Sequence, residues 1–150
     1  MELNKDFKEF VKLLNDNQVE YLTIGGYAVA YHGFPRYTGD IDFLVGTDKQ
    51  NAQKILNVLN DFGFGGLNLT IIDFTNVDNV IQLGFPPCRI DILTTIEGLD
   101  FQNCFNNRDI LELEDLAINF IDFSNLLKAK EIANRPKDKI DIQELKKLKK

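Results

Sequence analysis

Apolar residues at Leu3, Phe7, Phe10, Val11 and Leu14, separated by charged and polar positions, repeat at the helical period. They predict an amphipathic helix over about 3–16 that closes at the polar run 15–18. Tyr21 to Ile24 reads as a short buried strand ending in Gly25-Gly26, followed by a short helix from Tyr27 to Tyr31 that Gly33-Phe34-Pro35 breaks. Residues 40–45 alternate as a second strand. Thr47-Asp48-Lys49-Gln50 has the form of a capping box, and Ala52, Ile55, Leu56, Leu59 and Phe62 continue it as one helix face, which the glycines between 63 and 66 stop. Val80 to Leu83 and Arg89 to Leu93 are β-like runs around Gly84-Phe85-Pro86-Pro87, the pattern of a hairpin. A short helix is expected over 101–108 and a strand over Ala117 to Phe120. Ser124 is a candidate N-cap for a helix reaching Ile132, Asn134-Arg135-Pro136 breaks it, and a last helix follows from about Lys137. The chain shows no internal repeat or linker, so residues 1–150 are expected to form one α+β domain.

Composition narrows the classes. A hydrophobic share of 44% argues against disorder. No apolar run approaches the roughly 20 residues needed to span a bilayer, and the first ten residues are too charged for a secretory signal, so a soluble cytoplasmic protein is expected. Cys88 and Cys104 lack metal-ligand or disulfide spacing and read as packed thiols. Residues 128–150 carry nine Lys/Arg against four Asp/Glu, whereas residues 1–127 carry eight against nineteen. An acidic body with one short basic end is a poor general binder of duplex nucleic acid, although the basic end suits a polyphosphate. The terminal KKLKK is read as a solvated helix end.

The alternation that makes 40–45 a strand also places Asp40 and Asp42 on one face, opposite Ile41, Phe43 and Val45. Two carboxylates this close repel unless a cation neutralises them, and hard oxygen ligands suit Mg²⁺ or Mn²⁺ with substrate phosphates. An Asp-x-Asp pair alone carries little weight: with 15 Asp in the chain, chance supplies roughly 1.5 such pairs. Context raises it, because Arg89-Ile90-Asp91-Ile92-Leu93 repeats the alternation. If that strand neighbours the first, Asp91 becomes a third carboxylate in the same cleft; the bland reading is an Arg89–Asp91 ion pair on an exposed face. Gly25-Gly26 lets the backbone approach a ligand closely, and the N–H groups opening the next helix attract phosphate. His32 reads as structural, and Arg36 and Thr38 as ordering the loop before the strand. Phosphatases with an aspartyl nucleophile and metal-dependent glycosyltransferases also use Asp-x-Asp, but on longer chains.

These residues, TIGGYAVAYHGFPRYTGDIDFLV followed by RIDIL, resemble the DNA polymerase beta-type nucleotidyltransferase superfamily. The spacing Gly-Gly-x-Ala, the run His-Gly-x-x-Arg-x-Thr-x-Asp-x-Asp, and the late Lys130, Arg135 and Asp138 are similar to its small single-domain bacterial branch of abortive-infection and toxin-type proteins. The resemblance covers about 20–45, 80–95 and 116–145. It implies the nucleotidyltransferase fold, a mixed β-sheet flanked by helices. It further implies Mg²⁺- or Mn²⁺-dependent transfer of a nucleoside monophosphate from an NTP to a hydroxyl on RNA, protein or a small molecule, with pyrophosphate release. Asp40, Asp42 and Asp91 would hold metal, and Asp91 would assist deprotonation of the acceptor. Gly25 and Gly26 would cradle the triphosphate, with Arg36, Thr38, Lys130 and Arg135 as further nucleotide contacts. A second expectation from the same resemblance is a nucleotide-binding, catalytically inactive regulatory protein or toxin–antitoxin partner of the same fold.

Overall fold

The computed structural model describes residues 1–148; the last two lysines of KKLKK, at 149 and 150, lie outside the described residues. A six-stranded mixed sheet forms the centre, with strand order β3-β4-β2-β1-β6-β5. Its strands are β1 (Tyr21–Ile24), β2 (Asp40–Val45), β3 (Val80–Leu83), β4 (Arg89–Leu93), β5 (Asp109–Leu113) and β6 (Leu116–Phe120). The helices are α1 (Lys5–Asp16), α2 (Gly25–Tyr31), α3 (Lys49–Asp61), α4 (Ile71–Thr75), α5 (Phe101–Asn106), α6 (Phe123–Ala133) and α7 (Pro136–Leu148). This is the mixed, helix-flanked sheet expected from the sequence. No helix among the described residues is long and apolar enough to cross a membrane.

One sheet face is apolar and carries the core. Ile41 and Phe43 of β2 are fully buried with Phe7, Phe10, Val11 and Leu14 of α1 and Ile55, Val58 and Leu59 of α3. The Phe43 ring stacks on Phe10 at 5.7 Å and meets Tyr21 edge-on at 5.6 Å. Because side chains alternate along a strand, this packing turns Asp40 and Asp42 to the opposite face. That face forms a cavity wall shared with α6 and the start of α7.

Two helix caps differ from the sequence expectation. The cap of α3 is Asp48, whose carboxylate accepts from Asn51 N at 2.8 Å, in place of Thr47 in a Thr47–Gln50 box. Asn51 decides this register: its buried amide donates to the Gly46 and Glu20 carbonyls and accepts from Glu20 N. The cap of α6 is Asp122, not Ser124. A carboxylate both accepts from the helix amides and suits the positive end of the helix dipole. Two elements, α4 and β5, have no counterpart in the sequence reading. Helix α2 begins at Gly25 itself, two residues before the expected Tyr27. Cys88 and Cys104 are both free, and Cys104 is buried, as packed thiols should be.

Candidate functional site

Strands β2 and β4 run parallel and in register, with Asp40 opposite Arg89 and Asp42 opposite Asp91. Residues paired in this way share a face, so three carboxylates converge. One oxygen from each of Asp40, Asp42 and Asp91 lies within 4.8 Å of the others. Asp91 is 5% exposed, while Asp40 and Asp42 are half-buried. The Arg89–Asp91 ion pair of the bland reading exists too, on a buried carboxylate and not an exposed face: Nε donates to Asp91 Oδ1 at 2.9 Å, and Nη2 donates to Asp91 Oδ2 at 3.0 Å. The same Nη2 also donates to Asp40 Oδ2 at 2.8 Å. Sequence reasoning anticipated the first partner but missed the second, because it depends on which strand lies beside which.

Three carboxylates against one guanidinium leave negative charge in excess. Asp42 registers it: burial, then the Asp40 charge and the hydrogen bond and charge of Asp91, push its pKa up to about 7, against a smaller downward pull from Arg89. A divalent cation fits this donor set, which offers hard oxygens from three side chains and an uncompensated charge for it to neutralise.

The glycine pair borders the triad because β1 lies beside β2 with Ile24 opposite Asp42. Gly25 has φ +67°, and a Cβ there would overlap Asp42 Oδ2. A Cβ on Gly26 would come within 3.0 Å of the Thr38 Cβ. The glycines are therefore needed to seat Asp42 and Thr38, before any ligand is considered. Thr38 in turn donates to the Asp40 carbonyl at 2.9 Å and to Asp40 Oδ1 at 3.0 Å, fixing that carboxylate.

The basic residues form a separate network on the opposite wall. Lys130, 7% exposed, lies between Asp138 Oδ1 at 3.2 Å and Asp141 Oδ2 at 2.9 Å. Arg36 forks onto Asp141 at 3.1 and 3.0 Å, and Arg135 grips Asp138 at 2.6 and 3.2 Å. Burial works to raise the Asp138 pKa, but the bonds from Arg135 and Lys130 outweigh it and hold the carboxyl below its ordinary range. Asp141 was not singled out from the sequence; its spacing from Asp138, which puts both on one face of α7, was the available signal. A cavity of about 450 Å³ joins the two walls, lined by Gly25, Gly26, Arg36, Thr38, all three triad residues, Lys130 and Arg135. Every residue singled out from the sequence as a site candidate thus lines one cavity. His32 stands apart: its Nε2 lies 2.7 Å from the Ile121 carbonyl, which only accepts, so that nitrogen carries the proton in a structural bond.

Solved structures with the same architecture carry related names. LnuA, a lincosamide antibiotic adenylyltransferase with lincomycin bound, superposes with a TM-score of 0.59 at 19% identity, over 97% of this chain and 98% of its own. A candidate nucleotidyltransferase of Thermotoga maritima, TM1012, gives 0.58 at 14% identity over 92% and 88%. An antigenic nucleotidyltransferase-like protein of Paracoccidioides brasiliensis gives 0.55 at 17% over 97% and 77%. The chain has the nucleotidyltransferase fold. No protein-family model and no curated protein sequence matches it. Within the nucleotidyltransferase fold the reaction must be argued from the residues, since a fold alone names no chemistry.

Proposed function

We propose that the chain is an NTP-dependent nucleotidyltransferase that moves a nucleoside monophosphate to a hydroxyl acceptor and releases pyrophosphate. The observation that carries this reading is the in-register meeting of Asp42 and Asp91, with Asp40 beside them, on the wall of a cavity that also presents Lys130 and Arg135. Asp40, Asp42 and Asp91 are the residues that would hold Mg²⁺ or Mn²⁺. When bound, such a cation polarises the α-phosphate and offsets its charge.

The chain's own groups do the remaining work. Backbone N–H groups at Gly25 and Gly26 receive phosphate oxygens, and Thr38 keeps Asp40 aimed into the cavity. Arg36, held by Asp141, orders that wall. Asp91 takes the proton of the acceptor hydroxyl on a carboxylate oxygen. Lys130 and Arg135 meet the charge that builds on the leaving pyrophosphate. The apolar end of the cavity, at Val80, Leu93 and Ile96, is suited to a base or an acceptor ring. The Gly-Gly-x-Ala and His-Gly-x-x-Arg-x-Thr-x-Asp-x-Asp spacings support a place in the small bacterial branch. Of the three acceptor classes, RNA, protein and small molecule, the likeness to LnuA, matched over nearly the whole of both chains, supports the small molecule.

The reading is tested by incubating the protein with α-labelled NTPs, Mg²⁺ or Mn²⁺, and cell RNA, protein and small-molecule fractions. Label transfer with pyrophosphate release, lost in Asp42→Asn, is expected. Nucleotide binding without transfer to any fraction would favour the regulatory alternative.

A further inference from the structure

The Arg89 guanidinium bridges Asp40 and Asp91, two of the three carboxylates that could hold a cation. Its Nη2 lies 2.8 Å from Asp40 Oδ2 and 3.0 Å from Asp91 Oδ2, and its Nε adds a third bond at 2.9 Å to Asp91 Oδ1. Register makes this seat a built feature: Arg89 is directly opposite Asp40 and two residues before Asp91 on the same face. A divalent cation binds carboxylate oxygens at roughly 2.0–2.1 Å, so it and a guanidinium nitrogen cannot share the gap between the same two oxygens. Arg89 also has somewhere to go. Its side chain is 29% exposed where it lines the open cavity, whereas that of Asp91, on the same cavity, is 7% exposed.

The geometry points to Arg89 as a displaceable counter-cation that competes with the divalent metal for Asp40 and Asp91. In the metal-free protein it keeps mutually repelling carboxylates together; loading requires it to swing out. The inference rests on the triad being the metal site of the proposed reaction. A residue that merely braced the ligands would behave oppositely, since its removal would loosen the metal.

The experiment is a Mn²⁺ titration without nucleotide, following free Mn²⁺ by electron paramagnetic resonance, on the native sequence, Arg89→Gln, Arg89→Lys and Asp42→Asn. Arg89→Gln is expected to bind Mn²⁺ roughly tenfold tighter, the order set by charge-assisted hydrogen bonds that no longer oppose loading. In chelator the same variant should melt at a lower temperature than the native protein and regain more on adding Mn²⁺. Arg89→Lys keeps the charge but loses the fork, so it should fall between the two. If Arg89→Gln does not fold without metal, tighter binding by Arg89→Lys than by the native protein decides in the same direction. Equal or weaker binding by the folded variants would overturn the role of Arg89. Absence of Mn²⁺ binding in the native protein and both Arg89 variants would instead overturn the metal reading of the triad.

Discussion

Asp42 and Asp91 face each other directly across two parallel strands, with Asp40 and Arg89 as the next pair on the same face. No local sequence preference creates that meeting. It follows from the burial of Ile41, Phe43, Ile90 and Ile92 on the other face, which leaves the acidic residues only the cavity side.

This pairing makes stability depend on pH in a particular sense. The Asp42 pKa rises from an ordinary 3.8 to about 7, first through burial and then through Asp40 and Asp91. Between those values the folded protein retains a proton that the unfolded chain has released, so the Asp42 contribution weakens as pH climbs through the window. Melting of the metal-free protein should therefore show a component that falls with rising pH and is missing in Asp42→Asn. Identical pH slopes for the two proteins would contradict it.

Gly25→Ala should be costly although the added group is one methyl. The backbone sits at φ +67°, and the new Cβ would collide with Asp42 Oδ2. A loss of roughly 1–3 kcal/mol in urea denaturation is expected from the strained backbone. Gly66→Ala is the control, because nothing lies within 4 Å of a Cβ there, and it should change stability by no more than about 0.5 kcal/mol.

The buried ionic network is expected to respond more strongly than surface pairs. Lys130→Ala leaves Asp138 with Arg135 and Asp141 with Arg36 as their remaining cations and should cost about 1–3 kcal/mol. Lys147→Ala breaks only the exposed pair with Glu144 and should cost about 1 kcal/mol or less. Chemical denaturation of both variants separates the cases. If Lys130 also meets the triphosphate, the folded fraction of Lys130→Ala should bind NTP several-fold more weakly, as loss of a charge-assisted contact predicts.

Much of this was legible in the sequence where the signal is local. The alternation in 40–45 and 89–93 marked both strands and the face on which each carries its acids, and the pairing of β2 with β4 makes those faces one. Strand β5 was not legible, because an edge strand with the burial alternation of Asp109–Leu113 lacks an apolar run, and its hairpin turn uses Glu114 and Asp115, both with positive φ. Such turns usually announce themselves with Asn-Gly or Asp-Gly. Helix α4 is five residues long and held by the Thr70–Asp73 cap, too short for a periodic pattern. The candidate site divides in the same way. Its members could be named one at a time, but the second carboxylate of Arg89 depends on strand adjacency that no spacing encodes, and the i,i+3 spacing of Asp141 from Asp138 marks a shared helix face without naming Lys130 and Arg36 as its partners.

The most direct measurement is anomalous diffraction from crystals grown with Mn²⁺ and a non-hydrolysable NTP. A Mn²⁺ peak coordinated by Asp40, Asp42 and Asp91 is expected, with the triphosphate running along Gly25-Gly26 toward Lys130. A nucleotide bound elsewhere, or one bound in this cavity with no Mn²⁺ peak at the three carboxylates, would contradict it.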